Sequence, residues 1–449
     1  MRLLPRTPRG TWLLAAAAWA GLCALAWWLL PPRPRAVLDG EFEPWAVRFS
    51  ALGRWVTMTP ASPDGQTQPL QIRDVGTGSS AVRLPGEPPR SSSVFFSPDD
   101  HWLLAGNHMA GVGVCACGLY DTVTGAGYEA PPDLCTWSEQ GFCFSPAGDL
   151  LACAGETTDA WHTALLAVPS FQKVARLAEA VPPFSFSPDG RFLATGLQRS
   201  VHDAPEAAVW EVATARIVAR VSLPRLHTPV GFVLRPDGRF VIATTFWPNT
   251  FTACSVVQVW DVGSGRKVAE QSGASHVISA ADEPLVLRGK NDGTNDSQAQ
   301  IDVVDVMAGS TRCGISSNAA LDVAWNHGGQ SGGRMLALEE LVQSPVDRFI
   351  ERYDLPWAER FRLSRPTIAI YDLHSGRRLG RVGLVDASAL PLLAPDGQTL
   401  AVWQPGSIEL WDIPPRKPPA WFAAAAAVLA LPLAGLAWWR TRRLRREMA

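Results

Sequence analysis

A turn motif that recurs at a nearly constant interval constrains the fold of this chain more than any other feature. The motif reads Phe-Ser-Pro-Asp-Gly at residues 186–190, where proline presets the first corner of a turn and glycine accepts the left-handed conformation. Each copy therefore predicts a hairpin between two strands. The serine position of successive copies falls at Ser50, Ser97, Ser145, Ser187 and Arg235, at intervals of 47, 48, 42 and 48 residues. A period in the forties predicts the four-stranded blade of a β propeller.

A second motif follows the hairpins, a strand that ends in an aromatic residue and a carboxylate. Its copies are Tyr120-Asp121, Trp210-Glu211, Trp260-Asp261, Tyr371-Asp372 and Trp411-Asp412. Over about residues 36–413 the two linked motifs resemble the WD40-repeat family, in a membrane-anchored, bacterial form. The resemblance implies an all-β fold, a propeller of four-stranded WD40-like blades. The chain departs from the family where Leu166-Ala167 and Val304-Asp305 replace Trp-Asp.

The number of repeats predicts how the ring closes. Hairpin units number eight, with seven as the alternative if a weak unit near residues 277–286 or 322–338 is not a blade. Ala36–Asp39 precedes any hairpin, and the last unit stops at Asp412 without a following strand. We therefore predict that the first strand completes the last blade, which removes the exposed sheet edges. Both ends of the propeller then leave from one face.

The two ends of the chain are apolar. Thr11 to Leu30 and Ala420 to Trp439 are stretches of twenty residues without a charge, and at about 1.5 Å per residue each spans roughly 30 Å of hydrocarbon. We predict a transmembrane helix at each end, joined by linkers at 31–35 and 414–419 to a propeller at 36–413. For the first stretch a cleaved secretory signal is the alternative.

Charge predicts the orientation of these segments. Residues 1–10 and 440–449 are basic, and the positive-inside rule places such segments in the cytoplasm. The predicted location is the cell membrane, with both termini cytoplasmic and the propeller on the extracytoplasmic side. The whole chain has a net charge of −2, but residues 36–415 keep 28 Lys and Arg against 41 Asp and Glu, a net charge of −13. Such a domain repels phosphate backbones, so no nucleic acid is expected as a partner.

Binding is expected on the connections between the second and third strands of each blade, which vary most in length and composition. The longest is an insertion at 340–366, in which Ser344-Pro345 predicts a helix start. Its Trp, Phe, Tyr and Arg content is typical of protein interfaces, although folding back over the propeller is the alternative. The predicted protein-binding surface comprises Trp161, His162, Trp247, Arg348, Phe349, Tyr353, Trp357, Arg360 and Phe361.

No catalytic, cofactor or metal site is predicted. Gly329 to Gly333 matches the nucleophile elbow of hydrolases but lies in a hairpin turn, and Asp292 to Asp296 lacks the spacing of a calcium loop. Cysteines of the second and third blades, Cys115 or Cys117 with Cys143 or Cys153, either form a disulfide or act as small apolar strand residues.

The predicted function is a protein-binding or complex-assembly module anchored in the membrane. The alternative is a propeller enzyme or small-ligand receptor that uses the central channel. Acidic and His residues at the start of the inner strands would favour this alternative. The residues found there, Val47, Val94, Phe184 and Phe232, are apolar.

Overall fold

The strand-rich middle and the apolar ends of the chain fold as two units, residues 36–414 and residues 1–35 with 415–449. The computed structural model describes residues 8–42, 47–60, 69–84, 93–107, 116–130, 141–157, 160–197, 206–223, 228–235, 237–246, 255–274, 276–280, 283–290, 299–317, 334–342, 365–384 and 389–448.

The unit at 36–414 is an eight-bladed propeller, as the repeat count predicts, and the seven-blade alternative is wrong. Successive strands of each blade pair antiparallel in chain order. Blades 1 to 4 are formed by β2 (Arg48–Phe49), β3 (Trp55–Met58), β4 (Gln71–Asp74) and β5 (Ser80–Arg83); by β6 (Ser93–Phe96), β7 (Trp102–Asn107), β8 (Ala116–Asp121) and β9 (Gly127–Glu129); by β10 (Phe142–Phe144), β11 (Leu150–Thr157), β12 (Ala160–Ala167) and β13 (Gln172–Ala178); and by β14 (Ala180–Phe186), β15 (Phe192–Leu197), β16 (Glu206–Glu211) and β17 (Arg216–Ser222).

The second half of the ring includes both weak repeats. The blade 7 strands pair as the others do, and residues 318–333, which precede them, lie outside the described part of the chain. Blades 5 to 8 are formed by β18 (Thr228–Leu234), β19 (Phe240–Phe246), β20 (Ser255–Asp261) and β21 (Arg266–Ala274); by β22 (His276–Ala280), β23 (Glu283–Lys290), β24 (Ala299–Asp305) and β25 (Ser310–Ser317); by β26 (Met335–Val342), β27 (Arg365–Asp372) and β28 (Arg378–Gly383); and by β29 (Leu390–Leu393), β30 (Thr399–Gln404), β31 (Ser407–Asp412) and β1 (Ala36–Asp39).

The first strand completes the last blade, as predicted. β1 pairs antiparallel with β31, with Ala36 opposite Leu410 and Asp39 opposite Ser407. Leu38 on β1 is 3% exposed and belongs to a core cluster that joins blades 8 and 1. The chain therefore enters and leaves the propeller from adjacent strands of one blade, and the ring is closed by pairing between residues about 370 positions apart.

Hairpins between the first and second strands have the predicted turn geometry. The amide of Gly190 donates to the carbonyl of Ser187 at 2.8 Å, and Gly190 has a φ of 72°. The Ser187 hydroxyl accepts from the Phe192 amide at 2.9 Å and donates to Asp189 at 2.6 Å. The geometry of this single turn thus explains why the motif contains serine, aspartate and glycine. In the second copy Asp100 occupies the glycine position and adopts a φ of 61°.

Turns between the third and fourth strands explain the carboxylate of the second motif. The Asp261 carboxylate accepts from the amide and hydroxyl of Ser264 at 2.8 and 2.9 Å, and Asp305 accepts from the amides of Met307 and Ala308. The hydrogen bonds from Ser264, with that from Arg239, lower the pKa of Asp261 below its usual range. Carboxylates at this position cap turns rather than forming a catalytic set.

The glycine that ends such a turn packs on the outer strand of the preceding blade. A Cβ added to Gly125, at φ 72°, would lie 2.4 Å from Val82 Cγ1, whereas one added to Gly309, at φ 62°, would meet nothing within 4 Å. Both glycines hold the same position in their blades. Comparing substitutions at the two glycines therefore distinguishes the free-energy cost of the left-handed backbone from that of a clash between blades.

We expect Gly125→Ala to destabilise the propeller by about 1–3 kcal/mol more than Gly309→Ala, since both variants strain the backbone but only Gly125→Ala overpacks the contact with Val82. Chemical denaturation of the full chain in detergent would measure both. Equal losses of unfolding free energy in the two variants would show that blades 1 and 2 move apart at this contact without cost.

The second unit contains α1 (Pro8–Leu29) and α2 (Pro419–Met448). The two helices lie side by side: the Trp19 indole donates to the Ala426 carbonyl at 2.9 Å, and the Trp27 and Phe422 rings meet edge to face at 5.0 Å. Arg33 stacks over the Trp421 ring at 4.6 Å. Aromatic and cationic side chains thus join the ends of the two helices.

The two predicted membrane spans have different outcomes. Within α2, Pro419–Leu444 is long and apolar enough to cross a membrane, and it contains the predicted span at 420–439. The apolar part of α1 covers Thr11–Trp27, which is shorter than the roughly 20 residues that a span requires. The prediction takes the whole uncharged run from Thr11 to Leu30 as one span. A span at the N-terminus is therefore not confirmed.

Candidate functional site

Strand order gives the propeller two different faces. Hairpins between first and second strands and turns between third and fourth strands lie on one face, which we call the hairpin face. β1 starts and β31 ends there, because Ala36 pairs with Leu410. Connections between second and third strands and between blades lie on the opposite face, which we call the loop face. The chain therefore enters and leaves the propeller at the hairpin face, as the repeat arithmetic predicted.

Two residues of the predicted binding surface lie at the loop face. Trp161 and His162 are the second and third residues of β12, where Trp161 pairs with Glu156 and His162 with Gly155, next to the last pair of the hairpin, Thr157 with Ala160. His162 is partly buried. The other seven predicted residues lie outside the described part of the chain: Trp247, Arg348, Phe349, Tyr353, Trp357, Arg360 and Phe361.

The long insertion is held at both ends by one strand pair. Val342, the last residue of β26, pairs with Arg365, the first residue of β27. The strands thus run into the predicted insertion at 340–366, and the connection itself is confined to residues 343–364. It leaves and re-enters the propeller at adjacent points of the loop face.

A buried ionic cluster lies near the ends of the strands that flank this connection. Glu340 on β26 has a side chain that is 1% exposed, and its Oε2 accepts from Arg381 Nε at 3.1 Å and Nη2 at 2.8 Å. The Tyr371 hydroxyl on β27 donates to Glu340 Oε1 at 2.5 Å. Burial and the hydrogen bond to Glu340 raise the pKa of Tyr371 to about 12. Three strands of blade 7 are therefore joined by charge-assisted hydrogen bonds.

Similar polar pairs occur toward the loop face of blades 5 and 6. Asp302 on β24 is 4% exposed and accepts from Arg288 Nη2 at 3.2 Å. In blade 5 the buried Gln258 donates to Glu270 at 3.1 Å. Sequence reasoning missed these residues, although isolated charges inside apolar strands, such as Glu340, were a usable signal. No comparable signal in the sequence identified their partners, because another strand, β27, separates Glu340 from Arg381.

The central channel brings together no chemically reactive set among the described residues. The inner-strand residues Val47, Val94 and Phe232 are buried, with 0%, 9% and 5% exposure, and Phe184 is partly buried. No group of three His, Cys, Asp or Glu residues that could hold a metal ion occurs in the described ranges. The predicted alternatives at 292–296 and 329–333 lie outside them.

Cysteines of the second and third blades were predicted either to form a disulfide or to act as small apolar strand residues. Cys143 on β10 carries a free thiol. The side chains of its predicted partners, Cys115 and Cys117, lie outside the described part of the chain, so the disulfide stays a prediction. Burial raises the pKa of Cys143 to about 11, so its thiol is neutral at physiological pH. The interpretation as small apolar strand residues fits both Cys143 and Cys153.

Comparisons with known proteins show the fold and no family. No family model and no curated protein sequence matches the chain. Among solved structures, Porphyromonas gingivalis dipeptidyl peptidase 4 is similar with a TM-score of 0.51 and 12% identity, over 85% of this chain and 58% of that one. Kuenenia stuttgartiensis hydrazine synthase (TM-score 0.43, 14% identity, 85% of this chain and 98% of that one) and a putative TolB from Agrobacterium tumefaciens (TM-score 0.36, 16% identity, 51% and 79%) are also similar.

At these identities the likeness concerns the propeller fold alone. Propellers serve in enzymes as well as in binding proteins, and fold does not determine which. Membership of the WD40-repeat family therefore remains a hypothesis based on the two linked motifs. The function must be inferred from the chain's own surfaces.

Proposed function

We propose that this protein is a membrane-anchored, WD40-like propeller that binds a protein partner or assembles a complex through its loop face. The observation that supports this proposal best is that the chain ends and the variable connections belong to opposite faces of the propeller. The chain enters and leaves at the hairpin face, so neither β1 nor β31 begins or ends at the loop face, where we place the partner. The alternative, an enzyme or small-ligand receptor that uses the channel, has no supporting residue cluster among the described residues.

The ionic cluster of blade 7 supports a binding role for residues 343–364. Buried charges stabilise a fold less than apolar side chains of the same volume, but they fix the relative positions of the groups they join. Here Glu340, Tyr371 and Arg381 fix the strands from which the connection leaves and to which it returns. A connection rich in Trp, Phe and Arg on a rigid base is suited to protein recognition.

The proposed location is the cell membrane, with α2 as the anchor and the propeller on the extracytoplasmic side. α2 ends in Arg440, Arg442, Arg443, Arg445 and Arg446, which the positive-inside rule keeps in the cytoplasm. α1 contributes a second helix, whose contacts through Trp19 and Trp27 to α2 favour its retention over cleavage.

Deleting residues 343–364 and joining Val342 to Arg365 through a short Gly-Asn turn tests the binding proposal. We expect the variant to lose its cross-linked partner by at least about tenfold, the effect of losing roughly 1.4 kcal/mol of binding. Quantitative mass spectrometry after cross-linking in native membranes would measure it.

A matched control is Val268→Ser, which alters an exposed residue on the outer strand of blade 5 and should leave the partner unchanged. Both variants must unfold at the temperature of the unmodified chain. Retention of the same partner at the same yield by the deletion variant would refute the role of this connection. A small-molecule turnover that survives the deletion and is lost on substitution in the channel would instead favour the enzyme alternative.

A further inference from the structure

Two large apolar side chains stand exposed at turn tips on the hairpin face. Leu52, in the blade 1 hairpin, is 61% exposed, and Val123, in the turn between β8 and β9 of blade 2, is 58% exposed. The residues that correspond to Leu52 in the other described hairpins are Asp or Ala: Asp99, Ala147, Asp189, Asp237 and Asp396. Leu52 therefore replaces a residue type that normally caps its own turn.

Another blade supplies the missing cap. The Asp100 carboxylate accepts from the Ser50 hydroxyl at 2.6 Å and from the Leu52 amide at 2.9 Å. Asp100 is 5% exposed and holds the left-handed φ of 61°. The hairpin thus keeps its apolar tip while its polar groups are satisfied by blade 2. A surface leucine without a role would not require a capping residue from another blade.

The same aspartate places the two tips side by side. The Thr122 hydroxyl donates to the Asp100 carbonyl at 2.7 Å, and Val123 follows Thr122 in the turn. Leu52 and Val123 therefore belong to turns that are both bonded to one residue. Blade 1 adjoins blade 8, where the chain enters and leaves, since a Cβ on Gly53 would lie 2.7 Å from Asp396 of blade 8.

The hairpins and strands that carry the two tips also carry aromatic and basic residues. The Trp102 ring meets His101 at 4.6 Å and Tyr128 at 5.6 Å, both edge to face, and Tyr128 is 41% exposed. The exposed Arg54, two residues after Leu52, stacks over Trp55 at 4.5 Å. Exposed tyrosine and arginine in the same blades as the apolar tips suit the lipid headgroup region, where amphipathic rings and long basic side chains are favoured.

We propose that the apolar tip formed by Leu52 and Val123 inserts into the surface of the bilayer that α2 anchors. Ala36 and Leu410, paired near the start of β1 and the end of β31, mark the hairpin face as the face from which both chain ends leave, and the tip lies on that same face. Residues 413–418 join β31 to α2. Insertion would hold the loop face outward instead of leaving the propeller free to rotate on its linkers. It rests on α2 spanning the membrane and is independent of any protein partner.

Depth-dependent quenching tests this insertion. Leu52→Cys and Val123→Cys, each in the full chain reconstituted into vesicles of phosphatidylcholine and phosphatidylglycerol, are labelled with an environment-sensitive fluorophore. The unmodified chain is labelled in parallel to subtract its own thiols. We expect a nitroxide lipid, spin-labelled near the top of the acyl chain, to quench both labels at least roughly twofold, because such tips reach about 5–10 Å into the interface.

Val268→Cys is the matched control, since Val268 is 52% exposed but lies on blade 5, three blades from blade 8. Its label should not respond to the nitroxide lipid. Equal quenching at positions 52, 123 and 268, or none at 52 and 123, would overturn the proposal. Deleting residues 343–364 should leave the quenching unchanged, so a failure of the binding proposal and a failure of this one are distinguishable.

Discussion

Arg381→Met should destabilise the propeller by about 3–5 kcal/mol, the usual cost of removing one partner from a buried ion pair. The Glu340 side chain is 1% exposed and would keep its charge in the interior without the guanidinium that now donates two hydrogen bonds to Oε2. Methionine keeps most of the arginine's apolar volume, so the loss would reflect charge and not packing. Urea denaturation of the full chain in detergent would measure it.

The partner substitution should cost less, because the two ends of the pair differ in exposure. Arg381 is 36% exposed and can turn toward water when its acceptor is lost. Glu340→Gln also keeps an acceptor for the Tyr371 hydroxyl, so we expect a loss of about 1–2 kcal/mol. The double variant Arg381→Met with Glu340→Leu should recover most of the stability of the unmodified chain. A larger loss for Glu340→Gln than for Arg381→Met would contradict this explanation.

Leu38→Ala should lower the free energy of unfolding by about 2–5 kcal/mol, the range for truncating a buried leucine. Leu38 is 3% exposed on β1, the strand that closes the ring, and its core cluster includes Val47 and Val56 of blade 1 and Ile408 and Leu410 of blade 8. The loss should be accompanied by faster proteolysis of the unit at 36–414, because weaker pairing of β1 exposes the edge of β31.

Val37→Ala is the control on the same strand. Val37 is 47% exposed and points away from the cluster, so truncation should change stability by no more than about 0.5 kcal/mol. Both variants keep the backbone pairing of β1 with β31. Similar losses for the two would mean that the closure depends on the backbone alone and not on Leu38.

Local chemistry determined most of the fold that the sequence predicted. In a hairpin that has the full motif, the serine, aspartate and glycine act within five or six residues of one another, as the turn at Ser187 to Phe192 shows. Their repetition fixes the number of blades, and the count of strands fixes the closure by β1. These interactions are short in sequence, so the pattern carries them without knowledge of the neighbouring blade.

Contacts between blades and between non-adjacent strands were beyond the sequence pattern. Asp100 caps a hairpin 48 residues before it, and Arg381 neutralises a carboxylate 41 residues away across an intervening strand. Nothing local to Leu52 or Glu340 names these partners, because register and blade packing decide which side chains meet. Trp161 and His162, two residues of the predicted binding surface, lie at the loop face because of the strand order, which the sequence repeat had predicted.

The two apolar ends of the chain differ in the length of their apolar helices. The sequence shows two uncharged stretches of equal length, but the structure gives α2 a continuous apolar helix over Pro419–Leu444 and α1 a shorter one over Thr11–Trp27. By itself the sequence determined the repeat, the turns, the ring closure and the face from which the chain ends leave, because each depends on residues close in the chain or on a count. Only the tertiary structure decided the buried ionic cluster, the shared cap at Asp100 and the exposed tip beside it, because burial and pairing are properties of the packed blades.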